Sequence, residues 1–422
     1  MSEKIIRDPV HDVISLNTAD ETDRLLFDLL NAAEFQRLRR IRQLGLASLA
    51  YPGADHSRYS HSLGVMHTAR LMLDRLGRNA TVPPEQRQVC LVAALLHDLG
   101  HGPFSHVFER VTGIDHERLT ARIILDATSQ VHQLLIRTDP TLPERTVAAL
   151  QGRLEPAFLC DVLSSSLDAD RLDYLLRDNL MTGSRYGGYD LRWLLQAMTV
   201  DASTQRLVVA HKAVSAVEGY LQARYHMYRN VYFHKVVRAA EGMLKLALQR
   251  ARRLAVQERL RLPAGAEAMA AALTGQRLQM DAFVGLDDVT VTACFKAWTA
   301  SDDAVLARLC RGLLFRQLYK TIFLENDAGQ EGVQEAVAEA RSVVDAAGGD
   351  ADYDLFYDVP ADSPYPAVPG ESDGIRVILP AGGLIDVAEL SPMARALQTP
   401  VRYHRLHVSP AYAERVKHAI SG

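Results

Sequence analysis

Leu91-Val92-Ala93-Ala94-Leu95-Leu96-His97-Asp98-Leu99-Gly100-His101-Gly102-Pro103-Phe104-Ser105-His106 is the stretch that decides how this chain folds. Its first six residues are an apolar run, and Pro83-Pro84 gives the predicted helix over residues 85–98 its entry. Three histidines and an aspartate then follow within ten residues. Adjacent His97 and Asp98 can hold one divalent cation between them. His101 stands at i+4 from His97 and shares its face if the helix persists that far. Gly100, Gly102 and Pro103 break the helix and put His106 in a loop beside its end. Metal ligands and spare acid–base groups delivered to one point predict metal-assisted hydrolysis.

Around this stretch the chain is ordinary for a globular protein. Its 422 residues are 48% hydrophobic and 23% charged, enough for one large core with smaller domains. A formal net charge of -4 lacks the global basic signature of a nucleic-acid binder; Arg37, Arg39, Arg40 and Arg42 form one local basic cluster. Cys90, Cys160, Cys294 and Cys310 are scattered without a CxxC pair, which fits a reduced intracellular setting. No signal-peptide pattern opens the chain, and no apolar run approaches the roughly 18 residues of a membrane helix. The expectation is a soluble, cytoplasmic protein with no membrane partner.

Residues 4–16 read as a short strand or hairpin, and helical spacing dominates from there to about residue 250. Leu25, Leu26, Leu29 and Leu30 recur at helical spacing, as do Phe35, Leu38 and Ile41. Residues 61–76 read as an amphipathic helix, and residues 155–182 and 213–256 as long helices. Residues 257–345 stay mostly helical. Ala346 to Asp350 and the proline-rich Pro360 to Pro369 stretch then punctuate the chain. Ile375 to Leu379 and Leu384 to Val387 flank Gly382-Gly383 as a hairpin, and Val401 to Val408 reads as a further strand. The fold class is mainly α: a helical core, a small N-terminal hairpin and a C-terminal α+β subdomain. The expected divisions are residues 1–50, a catalytic core over 51–250, a helical extension over 251–345 and the subdomain over 346–422.

A second His-Asp pair, His11-Asp12, follows Pro9 with no histidines around it and reads as a turn or surface pair. A catalytic metal wants at least about three protein ligands. His61 and Asp170 interrupt helical apolar patterns, and with His97 and Asp98 they make a His₂Asp₂ set. That mixture suits Mn, Fe, Zn, Ni or Mg and selects none of them.

The order H…HD…D resembles the HD-domain phosphohydrolases. Further stretches resemble the SAMHD1-like deoxynucleoside triphosphate triphosphohydrolases and their bacterial relatives. They are Asp8-Pro9-Val10-His11, Phe35-Gln36-Arg37-Leu38-Arg39, Gln43-Leu44-Gly45, Tyr51-Pro52-Gly53-Ala54, Arg58 to Gly64, His97 to Phe108, Asp168 to Tyr174, Tyr232-Phe233-His234-Lys235 and the tail from Gly374 to Val408. The resemblance covers most of the chain, in order.

It implies an HD-domain helical core and cleavage of a dNTP at the α-phosphorus, giving a deoxynucleoside and inorganic triphosphate. It places Arg58, His101, His106 and His116 around the α-phosphate, with His106 the leading candidate for protonating the leaving 5′-oxygen. Glu109 stands where the family has an aspartate that orients an imidazole. Arg171, Arg229 and Lys235 are implied phosphate contacts. Gln43, Leu44 and Asp178 fall on the sugar side, and Tyr174 would hinder a 2′-hydroxyl. Lys4, Ile5, Gln36 and Arg39 match positions that bind a nucleotide activator in a homo-dimer or tetramer. Asn31 stands where an aspartate reads guanine, and an amide cannot accept both guanine donors, so strict GTP activation is not expected. Two other readings use the same residues: a phosphatase or phosphodiesterase for nucleoside monophosphates or a signalling nucleotide, and a nucleotide sensor without turnover.

Overall fold

The computed structural model describes residues 2–324, 329–362, 364–365 and 374–420. The N-terminal hairpin pairs Glu3–Asp8 with Asp12–Asn17. Helix Glu21–Leu30, capped by the Asp20 side chain, buries Leu25, Leu26, Leu29 and Leu30. Helix Arg58–Leu76 lies at the centre and is not amphipathic. Leu63, Val65, Met66, Met72 and Leu73 are buried, and so are His61, Ser62 and Thr68. Helices Pro84–Leu96 and Ala169–Thr182 pack against it.

Pro84 stands in the first turn of its helix, where its missing N–H goes unused, and every residue from Val89 to Leu96 is buried. This helix ends at Leu96, so His101 does not extend the His97 face. Instead Leu99 N and His101 N bond back to Leu96 O and Asp98 O, each at 3.1 Å. Gly100 then lets helix His116–Leu125 start against this turn. A Cβ at residue 100 would meet His116 O at 2.1 Å and Thr120 N at 2.4 Å.

Both predicted long helices are broken. Residues 164–168 separate Phe158–Leu163 from Ala169–Thr182. The Asp168 carboxylate causes the break, accepting from Ser165 N at 3.0 Å and Arg171 N at 2.8 Å as a cap. Helix Val214–Met227 passes through a wide π-turn, Tyr228–Tyr232, before Lys235–Val256 begins behind a His234 cap.

One core runs from Ile14 to Ala394. A second, small core joins Ala340, Val344, Leu355, Leu406, Val408 and Val416. Its sheet has the order Lys320–Phe323, Arg405–Val408, Leu355–Asp358, so this unit draws on one strand well before residue 346. The hairpin of Arg376–Ile378 and Leu384–Asp386 belongs elsewhere: Arg376–Ile378 pairs in parallel with Leu207–Ala210 of the main body. Of the proline-rich stretch, Pro366 and Pro369 lie outside the described residues. No helix among the described residues is long and apolar enough to cross a membrane.

Because the two nearest atoms facing Gly100 are backbone, Gly100→Ala is expected to destabilise the fold by about 1–3 kcal/mol. Urea unfolding of the purified variant checks this.

Candidate active site

Three helices converge on one point. His61 comes from the buried face of Arg58–Leu76, His97 and Asp98 from the C-terminal end of Pro84–Leu96, and Asp170 from the first turn of Ala169–Thr182. Helix polarity suits the arrangement. The helix end carrying His97 is the negative end of its dipole and favours a cation, and the helix start carrying Asp170 favours a carboxylate. Asp170 Oδ1 lies 2.9 Å from His61 Nε2 and 3.7 Å from His97 Nε2, and Asp98 Oδ1 lies 3.3 Å from His97 Nε2. Both Nε2 atoms are buried without a directed hydrogen bond. Two orphaned imidazole nitrogens facing two carboxylates fit a divalent cation.

The far side of each imidazole is fixed. His97 Nδ1 donates to Ala94 O at 2.9 Å, and His61 Nδ1 donates to Asp173 Oδ2 at 2.9 Å. Each bond leaves the Nε2 lone pair free for a metal. Asp173 is in turn held by His11 Nε2 at 2.7 Å and by Arg177, whose Nη1 also reaches Asp8 Oδ2 at 2.8 Å. His11 is therefore buried, not a surface residue; only its neighbour Asp12 takes the turn conformation, at φ 58°. Gly64 makes room for this network, since a Cβ there would lie 2.0 Å from Asp173 Oδ1. Burial works against charge on His61, but the Asp170 and Asp173 carboxylates beside it raise its pKa to about 10. The carboxylates thus draw positive charge to that nitrogen. Burial also works against the Asp98 anion, yet Arg58, His97 and His101 hold its pKa well below the usual carboxylate range.

Beside this quartet stands a trio. The buried His101 ring stacks on His116 at 4.0 Å, and His106 meets both edge-on at 5.3 and 5.7 Å. Glu109 Oε2 accepts from His116 Nδ1 at 3.0 Å and lies 3.5 Å from His106 Nδ1, so its hydrogen bond orients His116. Arg58 separates trio from quartet, pairing with Asp98 and donating to Ser105 Oγ at 3.0 Å. Burial, Arg58 and His116 lower the His106 pKa, with Glu109 opposing; burial and Arg58 hold His101 lower still. The guanidinium leaves the trio a poor home for a second cation. Phe104 and Ser105, just before His106, have φ of 51° and 50°. Each such non-glycine residue costs on the order of 1–3 kcal/mol.

Quartet and trio line a cleft of about 950 Å³ that also holds Gln43, Leu44, Arg171, Tyr174 and Asp178. Gln43 Oε1 is buried without a partner. Asp178 is fully engaged, by His56 Nε2 at 2.7 Å and the Tyr232 hydroxyl at 2.8 Å. Arg229 and Lys235 are exposed and lie outside the lining; Arg229 donates to Tyr225. Arg224 lines the cleft instead, donating to the Tyr174 hydroxyl at 3.2 Å and stacking over Tyr228 at 4.5 Å. Sequence reading takes His11 for a turn or surface residue and assigns no site role to His56, Asp173, Arg177 or Arg224. The stretch Asp8 to His11 was the available signal for the first.

Away from the cleft, Lys4 lies over the Phe27 ring and Asn31 bonds Phe27 O. Gln36 bonds Leu30 O, and Arg39 both donates to Gln36 and stacks on Tyr59. Ile5 is exposed.

The HD domain model matches residues 58–138, and the HD associated region model matches residues 189–262. The uncharacterized protein YwfO of Bacillus subtilis is 38% identical over 376 residues, 88% of this chain and 83% of that protein. A deoxynucleoside triphosphate triphosphohydrolase SAMHD1 homolog of Dictyostelium discoideum is 33% identical over 198 residues, 43% of this chain and 37% of that protein. The crystal structure of a phosphohydrolase from Bacteroides thetaiotaomicron superposes with a TM-score of 0.82 at 28% identity, covering 96% of this chain and 99% of that one. The HD model falls on the helices that carry His61, His97 and Asp98, and the Bacillus similarity spans most of both proteins: the chain belongs to the HD-domain phosphohydrolase family.

Proposed function

We propose that this phosphohydrolase cleaves deoxynucleoside triphosphates at the α-phosphorus, releasing the deoxynucleoside and intact triphosphate. The observation that carries the reading is the second histidine cluster. Three imidazoles beside Arg58 share the cleft with the His61, His97, Asp98 and Asp170 group and stand apart from it. A reaction whose leaving group is a 5′-alkoxide needs that spare proton donor. The name of the Dictyostelium relative points the same way.

His61, His97, Asp98 and Asp170 would hold the cation, which would polarise a phosphoryl oxygen and acidify a water. Arg58 sits between quartet and trio and balances charge on the α-phosphate. Arg171 and Arg224, flanking Tyr174, bind the outer phosphates. The unpartnered Gln43 Oε1 takes a sugar hydroxyl, and the Tyr174 ring, 6.5 Å from the His61 ring, narrows the space beside the sugar. In the reaction the water oxygen bonds to the α-phosphorus and the bond to O5′ breaks. O5′ leaves with the proton that His106 gives, and the proton lost by water restores the balance. The lowered pKa of His106 makes its imidazolium a stronger acid, and an arriving polyphosphate offsets Arg58 so that the ring gains that proton.

Purified protein given each dNTP with Mn or Mg is expected to yield triphosphate and unphosphorylated deoxynucleoside by ion-exchange chromatography. Pyrophosphate or orthophosphate as the product, or binding without turnover, overturns the reading. His106→Ala is expected to lower kcat by about 10²–10⁴-fold while leaving metal content unchanged. His11→Ala removes a support of the His61 partner and should weaken metal affinity by about 10–100-fold. Chelator competition with metal analysis measures that loss without reference to activity.

A further inference from the structure

Asp288 lies in the helical extension, outside the cleft lining, at the start of helix Asp288–Trp298. It is buried, and each oxygen accepts one backbone N–H from a different active-site loop. Oδ1 takes Phe104 N at 2.7 Å and Oδ2 takes Arg42 N at 2.9 Å. Phe104 opens the positive-φ pair that precedes His106, and Arg42 precedes Gln43. The Asp288 neighbour Leu286 adds a link to the turn at His101. Leu286 O accepts from Arg37 at 3.0 and 2.8 Å, and the same guanidinium reaches His101 O at 2.8 Å. Asp287 pairs with Arg40 and caps its own helix through Thr290 N at 3.0 Å.

Two consecutive non-glycine residues at positive φ persist only where their surroundings over-determine them. The Phe104 ring is buried, and the amide of this pair that meets a carboxylate meets Asp288. We propose that Asp288 is a positioning residue: one carboxylate that fixes the His106 loop and the Gln43 loop relative to each other. The extension over 251–345 thereby sets the distance between the proton donor and the sugar contact. This assignment of what the clamp serves rests on the roles proposed above for His106 and Gln43; the clamp itself does not.

Asp288→Asn keeps the side-chain volume but offers one acceptor where two amides need one each. In the full-length, metal-supplemented protein, hydrogen exchange of the peptides spanning 42–44 and 103–106 should rise by about tenfold or more, with metal content unchanged. Turnover should fall by about tenfold to a hundredfold, the scale of a small misplacement of reacting groups. Asp287→Ala is the control. It removes a helix cap and the Arg40 pair, and should lower Tm while turnover stays within about twofold of the unaltered chain. Unchanged exchange in Asp288→Asn overturns the proposal, and so does equal loss of turnover in both variants at equal loss of Tm. If the unaltered protein releases no triphosphate, the functional reading falls, and the exchange measurement still decides the clamp.

Discussion

The buried hydrogen bond between Asp173 and His61 is the constraint on which the site depends. It ties the central helix Arg58–Leu76 to helix Ala169–Thr182, the two helices that carry His61 and Asp170. Burying the Asp173 carboxylate carries a desolvation penalty of several kcal/mol. Arg177 with two contacts and His11 with one offset it, and together they hold its pKa well below the usual range. Removing one partner from such a buried network costs about 3–5 kcal/mol, since the other charge is left behind. Gly64 is the steric counterpart of this electrostatic bond: the helices approach so closely that no Cβ fits between them.

Asp8, at the end of the first strand, also belongs to this network through Arg177. The N-terminal hairpin is thus a structural support of the candidate metal-holding quartet. The exposed residues Lys4 and Ile5 sit on the same strand, and from Asp8 Arg177 and Asp173 lead in three contacts to His61. A displacement of the hairpin would reach the quartet through buried charges, which tolerate misalignment poorly.

Much of this was legible in the sequence because the decisive groups are contiguous. His97, Asp98 and the glycine-rich turn after them announce both a helix end and a ligand pair, and the structure places His61 and Asp170 within reach of His97. What was not legible is what only tertiary contact decides. Nothing local tells that the His11 ring is buried against a residue 162 positions away. The breaks at 164–168 and 228–234 fall inside sequences with good helical spacing. In the first, a capping carboxylate outcompetes continuation of the helix; in the second, a π-turn turns Tyr232 toward Asp178. Arg229 and Lys235 show the cost of missing that second break. A continuous helix leaves their direction open, and the π-turn leaves Arg224 and Tyr232 in the cleft and the other two outside. The boundary at 346 misleads for a related reason: strand Arg405–Val408 takes a partner from Lys320–Phe323, far back in the chain.

Arg58 explains why one short stretch of sequence can serve two kinds of chemistry. His97 and Asp98 lie on one side of its guanidinium, and His101, His106 and His116 lie on the other. Toward Asp98 the positive charge stabilises an anion that can hold a cation. Toward His101 and His106, burial and the same charge lower the pKa, favouring the neutral rings until a negative ligand arrives. A single fixed charge therefore favours the unprotonated form on both sides, an anion at Asp98 and neutral rings at His101 and His106. The turn at Gly100 and the strained pair Phe104-Ser105 are the backbone consequence, since the chain must pass around that guanidinium within eight residues. The groups that hold this short path from outside, Arg37 and Asp288, bond its backbone rather than its side chains. The path is thus fixed by contacts that leave every imidazole facing the cleft.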